Sequence, residues 1–204
     1  MTRDKAISHK KIVEAAKEEF LKYGFEDASM RRIAGCAGMS VSALYKHFSN
    51  KEDMFASLVD PVIRLCMEGY RRMEEESFAE LEDLDPEHIW ENKNITVKMM
   101  NFIYAYPDEF RLIILKSSGT RYESFIHDLA LKEEETTLRY MEALKQSGVP
   151  IHEVDKREFH LLVTGYFQAV FEALRHDFSE KEALHYAGTL QQFYDPGWKR
   201  FFGC

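Results

Sequence analysis

Long apolar runs and cysteine motifs are absent from this sequence of 204 residues. No stretch approaches the ~20 apolar residues that a membrane-spanning helix needs, and the opening segment MTRDKAISHKK lacks the apolar region of a secretory signal. Cys36, Cys66 and Cys204 are odd in number, widely spaced and without a CxxC pair. They predict free thiols in a reducing cytoplasm, not a disulfide frame or a zinc site. We expect a cytoplasmic protein without a membrane partner.

Catalytic motifs are missing as well. The histidines form no HExxH, and the chain contains no GxSxG, P-loop or GxGxxG segment. His127-Asp128 and His176-Asp177 are adjacent pairs, and adjacent side chains on a helix do not face each other. We therefore predict no enzymatic activity, no bound metal and no cofactor.

Apolar residues recur with helical spacing, whereas the alternation typical of strands is absent. Gly24, Pro107, Gly119 and Ser179 mark breaks between the helical patterns. In the first helix, Ile12, Ala16, Phe20 and Tyr23 form the expected inner stripe. Helices are predicted at about 8–23, 30–37, 40–48, 51–76, 88–105, 108–117, 121–147, 155–176 and 180–194. Pro61 interrupts the fourth, which is either one bent helix or two. The fold class is all-α, with about nine helices.

The segment Ser29 to Lys51, SMRRIAGCAGMSVSALYKHFSNK, combines two short helical patterns around a glycine. Ser29 and Ser40 stand at the starts of the two helices as candidate N-caps. Gly38 supplies a turn between them, where a positive φ costs glycine nothing. Leu44 and Phe48 fall four apart on the inner side of the second helix. This order is typical of a DNA-binding helix-turn-helix, although an ordinary αα-hairpin has the same local pattern.

Charge is unevenly divided along the chain, whose formal net charge is −8. Residues 1–51 contain ten Lys and Arg against six Asp and Glu, which gives +4. The remainder contains 17 basic and 29 acidic residues, which gives −12. A basic head on an acidic body favours an approach to nucleic acid through the head.

The order IAGCAGMSVSALYKHFSNKEDMF resembles the DNA-binding segment of the TetR family of transcriptional regulators. The matching positions are Ile33, Ala34, Ala37, Gly38, Ser40, Leu44, Tyr45, His47, Phe48 and Lys51. The resemblance covers about residues 7 to 58, and beyond them it is one of helical outline and length alone. It implies a three-helix helix-turn-helix domain at 1–50 and a larger helical domain for effector binding and dimerisation at 51–204.

DNA contacts are expected from the outward face of the second short helix and from helix starts nearby. Tyr45, Lys51 and Lys11 are predicted to hold phosphates. Val41, Ser42, Ala43, Lys46 and His47 are predicted to approach base edges. Lys10, Ser29, Arg31 and Ser40 complete the predicted DNA-binding set.

Two further surfaces are predicted in the larger domain, and for both the alternative is plain core. The resemblance implies a dimer interface on the last two helices, formed by Phe159, Leu162, Val163, Phe167, Val170, Phe171 and Leu190. It also favours a ligand pocket among the central aromatics, with Trp90, Met99, Phe102, Ile103, Tyr106, Phe110, Phe125 and Tyr166 as candidates.

The resulting hypothesis is a homodimeric repressor. It would bind double-stranded DNA at an inverted repeat and be released by an unknown small-molecule effector. The alternative is a helical protein-interaction module that no longer binds DNA.

Overall fold

The computed structural model describes residues 3–83 and 94–203, and within these ranges the fold is all-α, as predicted. A 3-10 turn at Glu80–Asp83 follows the fourth helix. The nine α-helices of the described ranges are α1 Arg3–Asp27, α2 Met30–Cys36, α3 Val41–Leu44, α4 Lys51–Ala79, α5 Ile95–Ala105, α6 Pro107–Leu115, α7 Phe125–Gln146, α8 Lys156–Arg175 and α9 Glu180–Phe202. None of these helices has the length and apolarity needed to cross a bilayer.

Several predicted helix boundaries were wrong; α7, for example, begins at Phe125 instead of residue 121. Helix α1 begins at Arg3 instead of residue 8, and helical residues resume after a break at Gly24, where φ is +75°. Helix α3 ends at Leu44, four residues before the predicted end. Helix α9 continues through Pro196 to Phe202. Proline deprives the carbonyl of Gln192 of its helical partner, but both residues are exposed, so water can replace the lost bond.

Helix α4 is one continuous helix from Lys51 to Ala79, which excludes the alternative of two helices. Pro61 lies inside it and is exposed. The carbonyl of Ser57 loses its helical partner there, and Ser57 is also exposed to solvent. The interruption therefore lies on the hydrated side of the helix.

The chain packs as two compact units. One contains Met1–Cys66 and Tyr106–Glu123, and the other contains Met67–Ala105 and Ser124–Cys204. Helices α1 to α3 thus share a unit with α6. The functional division after residue 50 stays a prediction.

The first unit has a core built from all of its helices. Ile12, Phe20, Ile33 and Leu44 are completely buried, and Phe48 is 7% exposed. Phe55 of α4 meets Phe20 edge-on, with the ring centroids 5.1 Å apart. The predicted inner stripe of α1 was wrong at its last position, because Tyr23 is 41% exposed and lies next to the break at Gly24.

The second unit packs α5 against α9, α7 against α8, and α8 against α9. Asp155 caps α8 by accepting hydrogen bonds from the N–H groups of Arg157 and Glu158. Ser179 and Glu182 form a reciprocal capping box at the start of α9. Phe159 packs edge-on against Phe202 near the end of that helix, with the ring centroids 5.3 Å apart. These contacts fix both ends of the α8–α9 pair.

Candidate nucleic-acid interface

Helices α2 and α3 and the turn between them form the predicted helix-turn-helix. Gly38 has a φ of +70°, which a side chain rarely adopts. The N–H of Met39 donates to the carbonyl of Ala34 at 2.9 Å and closes the end of α2. Ser40 Oγ accepts from the N–H of Ala43 at 3.1 Å, so the predicted cap of α3 is confirmed. Buried Leu44 then anchors α3 to the core.

The start of α2 is held differently from the prediction. The Ser29 side chain makes no capping hydrogen bond. Instead, the carboxylate of Glu19 on α1 accepts from the N–H of Ser29 at 2.8 Å and from Arg32 Nε at 2.7 Å. Arg32 also donates to the carbonyl of Asp27 and lies over the Tyr23 ring, 4.4 Å from its centroid. Glu19 and Arg32 thereby fix α2 to α1.

Burial and hydrogen bonding act in opposite directions on the pKa of Glu19, the partner of Arg32. Glu19 is only 7% exposed. Loss of solvation alone would raise the pKa of its carboxyl group, but the hydrogen bonds from Arg32 and Ser29 outweigh that effect and lower the pKa. Sequence patterns did not lead us to predict this pair. A signal was present, because Glu19 comes seven residues after Ile12 and therefore lies on the apolar face of α1, where a carboxylate needs a partner.

The predicted base-reading segment is only partly helical. Beyond Leu44, residues 45–47 form a turn in which the N–H of His47 donates to the carbonyl of Leu44 at 2.9 Å. Ser42 and Lys46 are exposed, Tyr45 is 48% exposed, and Val41, Ala43 and His47 are half-buried. All of these side chains keep surface that a DNA groove could contact.

Further predicted DNA contacts lie on exposed positions of α1, of α2 and of the turn before α3. Lys10, Lys11 and Arg31 are exposed, and so is Ser40. Lys10 Nζ lies 3.7 Å from the Glu14 carboxylate one helical turn away. Such an exposed pair is weak and can exchange for a phosphate. The assignment of these residues to DNA stays a prediction.

Lys51 has partners within the protein. Its Nζ donates to the carbonyls of Glu26 and Ala28, at 3.0 and 3.2 Å, and lies 4.6 Å from the centroid of the Phe25 ring. An ammonium group has three donors, so one N–H remains for a phosphate. Next to it, Asn50 caps the start of α4, because its Oδ1 accepts from the N–H of Asp53 at 2.7 Å. Lys51 thus stabilises the loop between α1 and α2, a role that its motif position did not indicate.

Helix α6 is tied to α1 within the first unit. Lys17 Nζ lies 2.9 Å from Asp108 and 2.9 Å from Glu109, both in the first turn of α6. Burial alone would lower the pKa of Lys17, but the two carboxylates outweigh it and raise the pKa. The N–H of Phe25 donates to the carbonyl of Lys116 at 2.8 Å. Helix α6 and the residue after it therefore support α1, against which α2 packs.

A second connection in this unit joins α4 to the segment after α6. Tyr122 is 7% exposed, and its hydroxyl donates to Asp60 Oδ1 at 2.6 Å. Arg121 approaches the same carboxylate at 3.2 Å. Asp60 directly precedes Pro61, so this cluster fixes α4 at its proline.

The predicted pocket residues are divided between the two units. Met99, Phe102, Ile103, Phe125 and Tyr166 belong to the second unit, Tyr106 and Phe110 belong to the first, and Trp90 lies outside the described residues. Tyr166 exchanges a 2.8 Å hydrogen bond with Thr96, and burial raises the pKa of its phenol to about 12. A groove of about 680 Å³ lies along α7 near Lys156, and none of the seven described candidates lines it. The pocket stays a prediction.

The predicted dimer residues are mostly buried within the single chain. Leu162 is 45% exposed, whereas the other six are between 0% and 6% exposed. Those six are Phe159, Val163, Phe167, Val170, Phe171 and Leu190. They have almost no surface left for a partner, because the inner face of α8 packs against α7 and α9. The apolar side chains that α8 and α9 leave exposed are Leu161 at 70%, Leu162 at 45% and Phe193 at 76%.

Metal-ligating side chains do not cluster in the ranges that the structure describes. No three His, Cys, Asp or Glu side chains there are arranged to hold an ion. Cys36 and Cys66 are free thiols, as predicted, and Cys204 lies outside the described residues.

Comparisons with known proteins agree with the helix-turn-helix. Residues 12–58 match the family described as bacterial regulatory proteins, tetR family. The HTH-type transcriptional repressor AcnR of Corynebacterium efficiens is 38% identical over 58 residues, which cover 28% of this chain and only 31% of that protein. The HTH-type transcriptional regulator SrpR of Pseudomonas putida is 26% identical over 176 residues, covering 82% of this chain and 76% of that protein.

Likeness to a solved structure extends over most of the fold. The crystal structure of AibR in complex with isovaleryl coenzyme A and operator DNA aligns with a TM-score of 0.51 and 18% identity, and covers 91% of this chain and 97% of that chain. At this identity the likeness establishes the fold. The segment at residues 12–58 is therefore similar to the DNA-binding segment of the tetR family, and the rest of the chain shares the fold of AibR.

Proposed function

We propose that this protein is a cytoplasmic transcriptional repressor that binds an inverted repeat as a homodimer and leaves it when a small molecule binds. Two of the relatives are described as a transcriptional repressor and a transcriptional regulator. Neither description names a catalytic activity, and the proposal includes none.

The observation that carries the proposal is the outward face of α3 and the turn behind it. Ser42 and Lys46 project there from a backbone that buried Leu44 and Phe48 anchor. A hydroxyl and an ammonium group can both bond to base edges, and the flanking lysines of α1 can hold phosphates. An interaction module without DNA would have no need of this arrangement.

Two copies are needed because one short recognition segment makes few base contacts. A two-fold axis would place two such segments about one helical turn, ~34 Å, apart on the DNA. Leu161, Leu162 and Phe193 support a contact through the outer faces of α8 and α9. Exposed apolar side chains that form one contiguous patch commonly mark an interface, and Leu161 and Leu162 are neighbours on α8.

The effector is proposed to bind in the second unit, among aromatic residues such as Phe102 and Tyr166. AibR was solved with both an acyl-coenzyme A and operator DNA. Helix α4 begins at Lys51 and reaches Ala79 in the second unit, which makes it the proposed carrier of the signal. A ligand would shift the equilibrium only by its differential affinity for the two states, about 1–3 kcal/mol in typical cases.

Selection from random duplex DNA tests the proposal. Purified protein is incubated with a random library, and the bound duplexes are amplified and sequenced over several rounds. We expect enrichment of one sequence with two-fold symmetry. A library that stays random after selection would refute sequence-specific repression and favour the interaction module.

A further inference from the structure

His9 of α1 packs against the residues that come after α3. Its ring stacks on Phe48, with centroids 5.3 Å apart and planes inclined by 24°. The ring of His47 lies 6.0 Å from His9 and is tilted by 37°. Phe48 is buried, whereas His9 and His47 keep part of their surface. The three rings join the beginning of α1 to the end of the recognition segment.

The recognition segment needs such support because its regular helix is short. Helix α3 ends at Leu44, and in the turn at residues 45–47 the N–H groups of Lys46 and His47 donate to the carbonyls of Ala43 and Leu44. A single turn does not direct side chains as firmly as a longer helix, whose hydrogen bonds reinforce one another. The directions of Lys46 and His47 therefore depend on packing from outside the segment.

We propose that His9 is a positioning residue for DNA recognition. Its ring holds Phe48 and His47, and through them it sets the direction in which Lys46 and His47 meet the base edges. His9 directly precedes Lys10 and Lys11, so one turn of α1 carries both the phosphate contacts and the support for the base contacts. The proposal rests on the proposed function, because it concerns how the same surface distinguishes sequences.

Loss of a positioning residue and loss of a phosphate contact should change DNA affinity in different ways. Phosphate contacts act on every sequence alike, whereas misdirected base contacts reduce the affinity for the preferred sequence alone. Stacked aromatic rings contribute to the energy of packing beyond their buried area. The support should therefore survive in His9→Phe, which keeps a ring but cannot be protonated.

The test compares the duplex recovered by selection with a shuffled duplex of equal composition, by fluorescence anisotropy at one salt concentration. We expect His9→Ala to weaken binding to the selected duplex about tenfold, equivalent to about 1.4 kcal/mol, and to leave the shuffled duplex within about twofold. His9→Phe should restore the affinity for the selected duplex. Lys10→Ala, the neighbouring control, should weaken both duplexes alike.

Each alternative outcome overturns the proposal. Equal weakening of both duplexes by His9→Ala would make His9 a phosphate contact, and failure of His9→Phe to restore affinity would assign the effect to imidazole chemistry. Unchanged affinity would leave His9 without a role in recognition. His9→Gln, which lacks the ring but keeps a polar side chain, replaces His9→Ala if thermal unfolding shows that the alanine variant is not folded. Wild-type protein that does not distinguish the duplexes refutes the proposed function before any variant is needed.

Discussion

At the scale of the residue, the helix-turn-helix depends on polar groups that the motif does not specify. Glu19 is buried on the apolar face of α1 and bonds to the first residues of α2. Lys51 holds the carbonyls of Glu26 and Ala28. Both residues act on the α1–α2 loop, so the orientation of α2 depends on charge as well as on apolar packing.

Glu19→Gln should destabilise the protein in a pH-dependent manner. The lowered pKa of Glu19 means that the carboxylate contributes stability above its unfolded value of 4.5, and that this contribution is lost as pH falls through the folded value. Because hydrogen bonds to charged groups contribute about 1.5–3 kcal/mol, we expect the variant to lose about 2 kcal/mol at pH 7. Urea unfolding at pH 7 and at pH 3 measures the difference.

Exposed Glu18 supplies the matched control. Glu18→Gln should change the free energy of unfolding by less than about 0.5 kcal/mol. If Glu19→Gln loses as much stability at pH 3 as at pH 7, the ionised carboxylate is not the stabilising group.

Lys51→Ala should weaken every DNA duplex by a similar factor. Its third N–H remains available to a phosphate, and losing one phosphate contact reduces the slope of log affinity against log salt by about 0.9. Anisotropy titrations over a range of salt concentrations measure that slope. Lys181→Ala, which alters an exposed position on α9, serves as the control and should leave it unchanged. A variant with lower stability but the wild-type slope would restrict Lys51 to its role in the loop.

At the scale of the element, sequence periodicity identified the helices but not which face each one keeps exposed. The apolar residues of α8 form a wide face, and nothing in their spacing separates an inner surface from an interface. Phe167 and Phe171 are buried by the chain itself, whereas Leu161 projects to solvent. Only the packing of α7 and α9 against α8 makes that distinction.

Charge on the outer face should therefore prevent the proposed dimer from forming without unfolding the protein. In Leu161→Glu combined with Phe193→Glu, each carboxylate stays hydrated in the monomer but becomes desolvated in a dimer. Sedimentation should show the mass of a monomer, and this monomer should remain folded. Phe167→Glu instead buries an unpaired charge, a change that costs about 3–5 kcal/mol or more, and should yield poorly folded protein. A double variant that still sediments as a dimer would place the interface elsewhere.

Helix ends were predicted from neighbouring residues alone, and this limited the accuracy of the predicted ends. Gly38 and Ser40 were identified correctly, because turn and capping chemistry involves residues close in sequence. The early end of α3, the continuation of α9 through Pro196 and the Glu19 contact to Ser29 were missed. Each of these depends on solvent exposure or on a partner in another helix, which local patterns do not contain.

At the scale of the whole molecule, two features could be predicted from the sequence. They are the all-α fold and the division into a basic first part and an acidic remainder. The all-α fold could be inferred from periodicity, and the resemblance of residues 12–58 to the tetR family from one motif. The packing of α6 with α1 was not predictable, because Lys17 and its partners Asp108 and Glu109 are far apart in sequence. Their ion pairs make α6 part of the unit that contains the helix-turn-helix.

The central claim is that the face formed by α3 and the turn after it recognises a DNA sequence. The most direct measurement is the ratio of affinities for the selected and the shuffled duplex at physiological salt. We predict a ratio of about 10³ or more for the wild-type protein, in the range of specific DNA-binding proteins. We also predict that Lys46→Glu brings the ratio close to one while the protein stays folded. A wild-type ratio near one, or an unchanged ratio in Lys46→Glu, would contradict the account.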